Sequence, residues 1–130
     1  MILSRLPATS ALSLALALPT STPAPAQSAP AGQTVLVYSF GFSPRPIHLA
    51  AGRPVTLTFV NRSGSAHDFT AKSFFASSRI LAGAAPDGEI ELMPHQTRSV
   101  TLVPRAGDYK AHCSHFLHSA MGMSDTIVVD

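Results

Sequence analysis

Short β-branched runs separated by turn signals constrain this chain more than any other feature. From Thr34 onward they read TVLVYSF, PIHLA, PVTLTFVN, AHDFT, GEIEL, RSVTLV, GDYKAHC and SDTIVV, each of strand length and bounded by Gly, Pro, Asn, Asp or Ser. In PVTLTFVN, Val55, Leu57 and Phe59 fall on one side of an extended chain and Thr56, Thr58 and Val60 on the other, the period of two that marks a half-buried strand. Two antiparallel sheets stacked about 10 Å apart bury such faces against each other. Turn residues fall between the runs, at Ala51-Gly52-Arg53-Pro54, Pro86-Asp87-Gly88 and Arg105-Ala106-Gly107-Asp108. The expected fold is all-β, a Greek-key sandwich of about eight strands.

Ala71 to Ala85, AKSFFASSRILAGAA, lacks the alternation. It is expected to be a short helical or irregular connection that carries Phe74, Phe75, Ile80 and Leu81 inward and packs its aromatics onto a sheet edge.

The first 26 residues read as an export signal. Arg5 lies in a short basic start, Leu6 to Leu18 is apolar, and Ala24-Pro25-Ala26 offers small residues for cleavage. The apolar part is too short for a membrane span, and no cysteine stands beside the cleavage region to take a lipid. Residues 27–33 continue the Ala/Pro/Ser composition as a flexible N-terminus, and residues 34–130 suffice for one domain with one core. The expected location is the periplasm. Of nine Lys and Arg, Arg5 leaves with the signal, so eight basic side chains face seven acidic ones. That near balance leaves no electrostatic footprint for nucleic acid, and the expected state is a monomer without stable membrane insertion.

Export leads to an oxidising compartment in which cysteines pair, yet Cys113 is the only cysteine. Buried apolar packing is one explanation, and a metal-free module that binds another protein would need no more. Its neighbours argue for a different one. Between Tyr109 and Met123 the chain places His112, His115, His118, Met121 and Met123 around Cys113. A thiolate, two imidazoles and a weak thioether form the ligand set of blue-copper sites, and His67, in NRSGSAHDFT, is the candidate for the remaining imidazole. His115, two residues from Cys113, shares its side of an extended segment and rivals His118; Met121 rivals Met123. His48 alternates with Ile47 and Leu49 and faces solvent, His95 occupies a turn, and His112 points away from Cys113.

The order FSPRPIHLAAGRPVTLTFVN, then HDF, then ELMPHQTRSVTLVPRAGDY, then the Cys/His/Met loop and a last strand resembles the cupredoxins, the plastocyanin, azurin and pseudoazurin family of exported copper proteins. The resemblance covers nearly all of Thr34 to Asp130. It implies one type 1 copper ion held at one end of the sandwich by His67, Cys113, His118 and Met123. The loop mixes two subfamily patterns. Four residues separate Cys113 from His118 as in azurin-like loops, Phe116 occupies the plastocyanin-like position and cannot ligate, and HSAMGM resembles the pseudoazurin ending. Asp68 is then expected to support the ligands, its backbone N–H donating to the Cys113 sulfur and its carboxylate accepting from the Ser114 hydroxyl.

Three strong ligands and one weak one serve Cu(I) and Cu(II) with little rearrangement, so the implied function is electron transfer without substrate chemistry. The chain holds no Ser/His/Asp order, paired carboxylates or glycine-rich phosphate loop that would support an enzyme. Redox partners would dock briefly on an apolar rim of Phe116, Leu117, Met121, Phe42 and Pro44 around His118. Copper delivery or storage in the same compartment is the alternative, because imidazole, thiolate and thioether also suit Cu(I).

Overall fold

The computed structural model describes residues 13–25, 29–115 and 122–130. Within them the chain runs β1 (Ala31–Tyr38), β2 (Gly41–Ser43), β3 (Ile47–Leu49), β4 (Val55–Asn61), β5 (His67–Thr70), α1 (Lys72–Ser77), β6 (Arg79–Ala82), a 3-10 turn (Pro86–Gly88), β7 (Glu89–Leu92), β8 (Thr97–Val103), β9 (Gly107–His112) and β10 (Ser124–Val129). The strands form two five-stranded sheets, β2-β1-β4-β8-β6 (sheet 1) and β3-β10-β9-β5-β7 (sheet 2). All eight expected runs are strands, and the fold is the expected β-sandwich.

The alternation of β4 is realised: Val55, Leu57 and Phe59 are buried, with Thr56, Thr58 and Val60 half-buried between them. Phe69 of β5 sits at the centre of the core. Its ring is tilted against Phe59 at 4.8 Å and meets Phe42 edge-on at 5.2 Å and Phe75 at 6.4 Å, the offset geometries that aromatic quadrupoles favour. Fully burying one such ring contributes roughly 1.5–3 kcal/mol.

Four expectations need correction. The sheet starts at Ala31 rather than Thr34, because the parallel ladder of β1 on β4 begins at Ala31↔Val55 and the Ala31 N–H donates to the Pro54 carbonyl at 3.1 Å. Two further strands exist: β2 folds back on β1 as a tight hairpin, and β6 pairs with β8 at the edge of sheet 1. Ile80 and Leu81 do not turn inward but are 39% and 46% exposed. The helix stops before them, its end tied by the Ser77 and Ser78 hydroxyls donating to the Phe74 carbonyl at 3.0 and 2.7 Å. The chain then continues as the edge strand β6, every residue of which is exposed. Finally, Phe42 is core, 1% exposed, and so forms no part of an apolar rim.

Phe74 and Phe75 do pack inward. Phe74 meets Tyr109 of β9 edge-on at 5.5 Å, and the Tyr109 hydroxyl donates to the Arg105 carbonyl at 2.8 Å, which fixes α1 over sheet 2. Gly88 closes the connection. Its φ of +75° and the 2.6 Å that would separate an added Cβ from the Lys72 Cα admit only glycine, and its carbonyl accepts the Ala71 N–H at 2.9 Å. This turn sets β7 beside β5. No helix among the described residues is long and apolar enough to cross a membrane.

Candidate metal centre

At one end of sheet 2, β5 begins with His67, β9 runs into Cys113 and β10 starts just after Met123. Sheet pairing brings them together: β5 meets β9 at Thr70↔His112, β9 meets β10 at His112↔Ser124, and the Cys113 N–H donates to the Met123 carbonyl at 3.0 Å. His67, Cys113 and Met123 are 2%, 0% and 0% exposed. His67 Nδ1 lies 4.0 Å from Cys113 Sγ. His118 and its neighbours Phe116, Leu117 and Met121 lie outside the described residues.

The donors fit a shared soft metal ion. Metal bonds of about 2.3 Å to sulfur and 2.0–2.1 Å to imidazole nitrogen together slightly exceed the observed separation, so His67 and Cys113 would both be within reach of one ion. The burial of an imidazole, a thiol and a thioether in one place is itself the donor chemistry of such a site.

Before His67 the chain makes a tight loop, and Asn61 braces it. The Asn61 side-chain amide donates to the carbonyls of Ser65 at 2.8 Å, Met93 at 3.0 Å and Leu92 at 3.3 Å. Its carbonyl oxygen accepts the Ser63 N–H at 3.0 Å and the Ser63 hydroxyl at 2.9 Å. This buried amide ties the His67 loop to the end of β7. The sequence offered Asn61 only as the last residue of a run; its position on the inward side of β4, in step with Val55, Leu57 and Phe59, was the signal that it is buried.

The outward residues of the same strands form a polar brace. Asp68 Oδ1 accepts the Ser114 N–H at 2.9 Å and the Thr70 hydroxyl at 2.7 Å, while Oδ2 accepts the Ser114 hydroxyl. The carboxylate, 0% exposed, thus joins the β5 segment to the loop after β9, as expected for Asp68 and Ser114. Burial pushes the Cys113 thiol above its usual range, while the backbone N–H groups of Asp68 and His115, bonded to the sulfur, act in the opposite direction by favouring the thiolate.

His115 is drawn to this outer side. Its Nε2 lies 3.2 Å from Glu91 Oε1 and 3.6 Å from Asp68 Oδ2. Donor atoms of Asp68, Cys113 and His115 lie within 4.8 Å of one another, as do those of Asp68, Glu89 and Glu91. Glu91 was missed as a partner because its role depends on the pairing Asp68↔Glu91 between β5 and β7. Burial first, then the charge of Asp68, raises the Glu89 carboxyl above the ordinary range. His48, His95 and His112 are exposed, and His95 sits in a turn with φ of +58°; none joins the donors.

A family model for the cupredoxin-like domain matches residues 10–129. Among solved structures the chain is similar to dithionite-reduced auracyanin from the photosynthetic bacterium Roseiflexus castenholzii, with a TM-score of 0.59 and 18% identity over 79% of this chain and 99% of that one. Auracyanin B aligns with a TM-score of 0.57 and 21% identity, over 81% and 93% of the two chains. A multicopper oxidase from Campylobacter jejuni, described as a metallo-oxidase, aligns with a TM-score of 0.61 and 11% identity over 81% of this chain but only 31% of the oxidase. At these identities the likeness is one of fold. No protein of curated function matches the chain by sequence.

Proposed function

The chain belongs to the cupredoxin-like domain family, and from that premise we propose that it is a type 1 (blue) copper electron carrier. In this reading residues 27–130 work in the periplasm as a monomer after cleavage of the signal near Ala26. The observation that carries the reading is the 4.0 Å approach of His67 Nδ1 to Cys113 Sγ, in a pocket where both residues and Met123 are buried. One of the proteins sharing the fold is an auracyanin obtained in a dithionite-reduced form, which is in keeping with redox work.

Copper bound here supplies the one-electron change between Cu(I) and Cu(II). The chain's own residues hold the donors still. Asn61 fixes the loop before His67, Asp68 clamps Ser114 beside Cys113, and the Cys113–Met123 backbone bond closes the end of the sandwich. Donors that keep their places in both oxidation states keep the rearrangement small. His118 is the second imidazole, a choice supported by the engagement of His115 with Glu91 and Asp68. Met123 would supply the weak thioether donor, supported by its burial and its backbone bond to Cys113. The delivery alternative is disfavoured by the same burial, because a delivery protein must surrender its ion to another protein's ligands.

The test is a visible spectrum of the protein loaded with Cu(II), beside its Cys113→Ser variant. An intense blue or green thiolate–copper band that cycles reversibly in the native protein and is missing from the variant supports the carrier. A colourless protein that holds only Cu(I) and yields it to an acceptor overturns it. His118→Gly is expected to open a position that added imidazole refills; if His115→Gly opens the site instead, His115 is the ligand.

A further inference from the structure

The outer face of sheet 2 divides by charge. Toward β7 it carries Asp68, Glu89 and Glu91, whose carboxylates cluster within 4.8 Å. On the opposite side, β9, β10 and the turn before β3 enclose a groove of about 550 Å³ lined by Arg45, Lys110 and His112 together with Ser124 and Thr126. Arg45, Lys110 and His112 are exposed, whereas the one carboxylate of the lining, Asp125, is only 4% exposed. Lys110 stands opposite Thr126 and His112 opposite Ser124, so the accessible polar side chains of the groove are groups able to donate hydrogen bonds. The exposed Asp108, opposite Val128, bounds it at the far end.

We propose that this groove docks an acidic protein partner, one that presents several Asp or Glu carboxylates in a row. The inference rests on the electron-carrier reading and gives that carrier's partner a chemistry. Two observations favour an acidic protein over a single small anion. Lys110 and His112 are alternate residues of one strand, about 6.5–7 Å apart, and Arg45 stands on a separate turn. The positive charges of Lys110 and Arg45 therefore stand on separate elements of the groove, with the His112 ring beside them as a hydrogen-bonding group, which suits a row of carboxylates better than one compact ion. The acidic cluster across the same sheet would repel such a partner and turn it toward the groove, the way opposed patches fix orientation during encounter. His112, in the groove wall, directly precedes Cys113 in the chain, so a partner seated there comes to rest close to the proposed copper site.

The experiment titrates the full chain, labelled with ¹⁵N and free of copper, with hexaglutamate at low salt, and uses hexaglutamine and inorganic phosphate as comparators. Amide shifts are expected at Lys110, His112, Ser124 and Thr126 with hexaglutamate and not with hexaglutamine. They should weaken several-fold in about 0.2 M salt, where the screening length falls below about 10 Å, and be lost in the Arg45→Glu/Lys110→Glu variant. Shifts that map elsewhere, respond equally to hexaglutamine or survive in that variant overturn the proposal. Phosphate binding at these residues as tightly as the peptide overturns it too, in favour of a small-anion site.

A second measurement reads the link to electron transfer. Oxidation of the copper-loaded, reduced protein by hexacyanoferrate(III), which takes one electron and becomes hexacyanoferrate(II), should slow several-fold in the variant while the visible spectrum stays unchanged. Equal rates in the two proteins detach the groove from electron transfer and overturn that part of the proposal. If the loaded protein has no thiolate–copper colour, the carrier reading fails while the peptide titration still decides the groove.

Discussion

The two faces of strand β5 do different work with neighbouring residues. His67 and Phe69 turn into the sandwich, one toward Cys113 and the other into the aromatic core; Asp68 and Thr70 turn outward into a hydrogen-bonded brace. All four are buried, so exposure does not separate them. Chemistry does. The inner face turns an imidazole toward the Cys113 thiol and a ring into the aromatic core, and the outer face holds a carboxylate that accepts from an amide and two hydroxyls. A period of two lets one short strand supply both a proposed metal ligand and the clamp that holds its neighbour in place.

Phe69→Ala should cost about 3–5 kcal/mol, the usual toll of a cavity left by a core aromatic, measured by denaturant unfolding of the metal-free protein. A loss under about 1 kcal/mol would mean that the inner face is not packed as described. On the outer face, Asp68→Ala strands the Ser114 amide and the hydroxyls of Ser114 and Thr70 and should cost about 2–3 kcal/mol. Asp68→Asn, which keeps one carbonyl acceptor, should recover part of this. If both variants unfold like the native protein, the brace does not hold the fold.

The thiol sharpens the contrast through pH. Burial raises the Cys113 pKa, so near neutral pH the metal-free thiol is protonated and a metal must displace its proton. Copper(II) loading at pH 7 should release about one proton into weak buffer, and affinity should rise about tenfold per pH unit until the thiol's own, raised pKa is reached. A pH-independent affinity across this range would show a sulfur already ionised. The smallest effect is expected at the half-exposed His115–Glu91 pair: Glu91→Gln should change stability by less than about 1 kcal/mol. A larger loss would move this pair from the rim of the brace into its structure.

Much of this was legible in the chain. The eight runs are strands because each is a short run bounded by turn residues and several carry a visible alternation, and Phe74 and Phe75 pack inward as expected. The sequence hid the features that depend on which strand lies beside which. Ile80 and Leu81 look like core residues, yet their strand lies at a sheet edge where no second layer covers them. Phe42 resembles a surface aromatic until the β1–β2 hairpin folds it under Phe69. Glu91 reads as a scattered acid until β7 pairs with β5 and brings it to His115. Asn61 closes a buried run whose final polar residue acquires meaning only once the Ser65 and Met93 carbonyls converge on it. Cys113 stands out as the only cysteine, whereas the choice of His67 and Met123 from six histidines and four methionines comes from the resemblance of the loop to the cupredoxins.

The bond from the Cys113 amide to the Met123 carbonyl, continued by His112 opposite Ser124, has a consequence for redesign. The sheet sets the two ends of the proposed ligand loop, so these ends are fixed points onto which other loops can be grafted. A shorter or longer insert carrying a different imidazole spacing could be mounted on the same sandwich, provided that both ends and the Asp68 clamp are left alone.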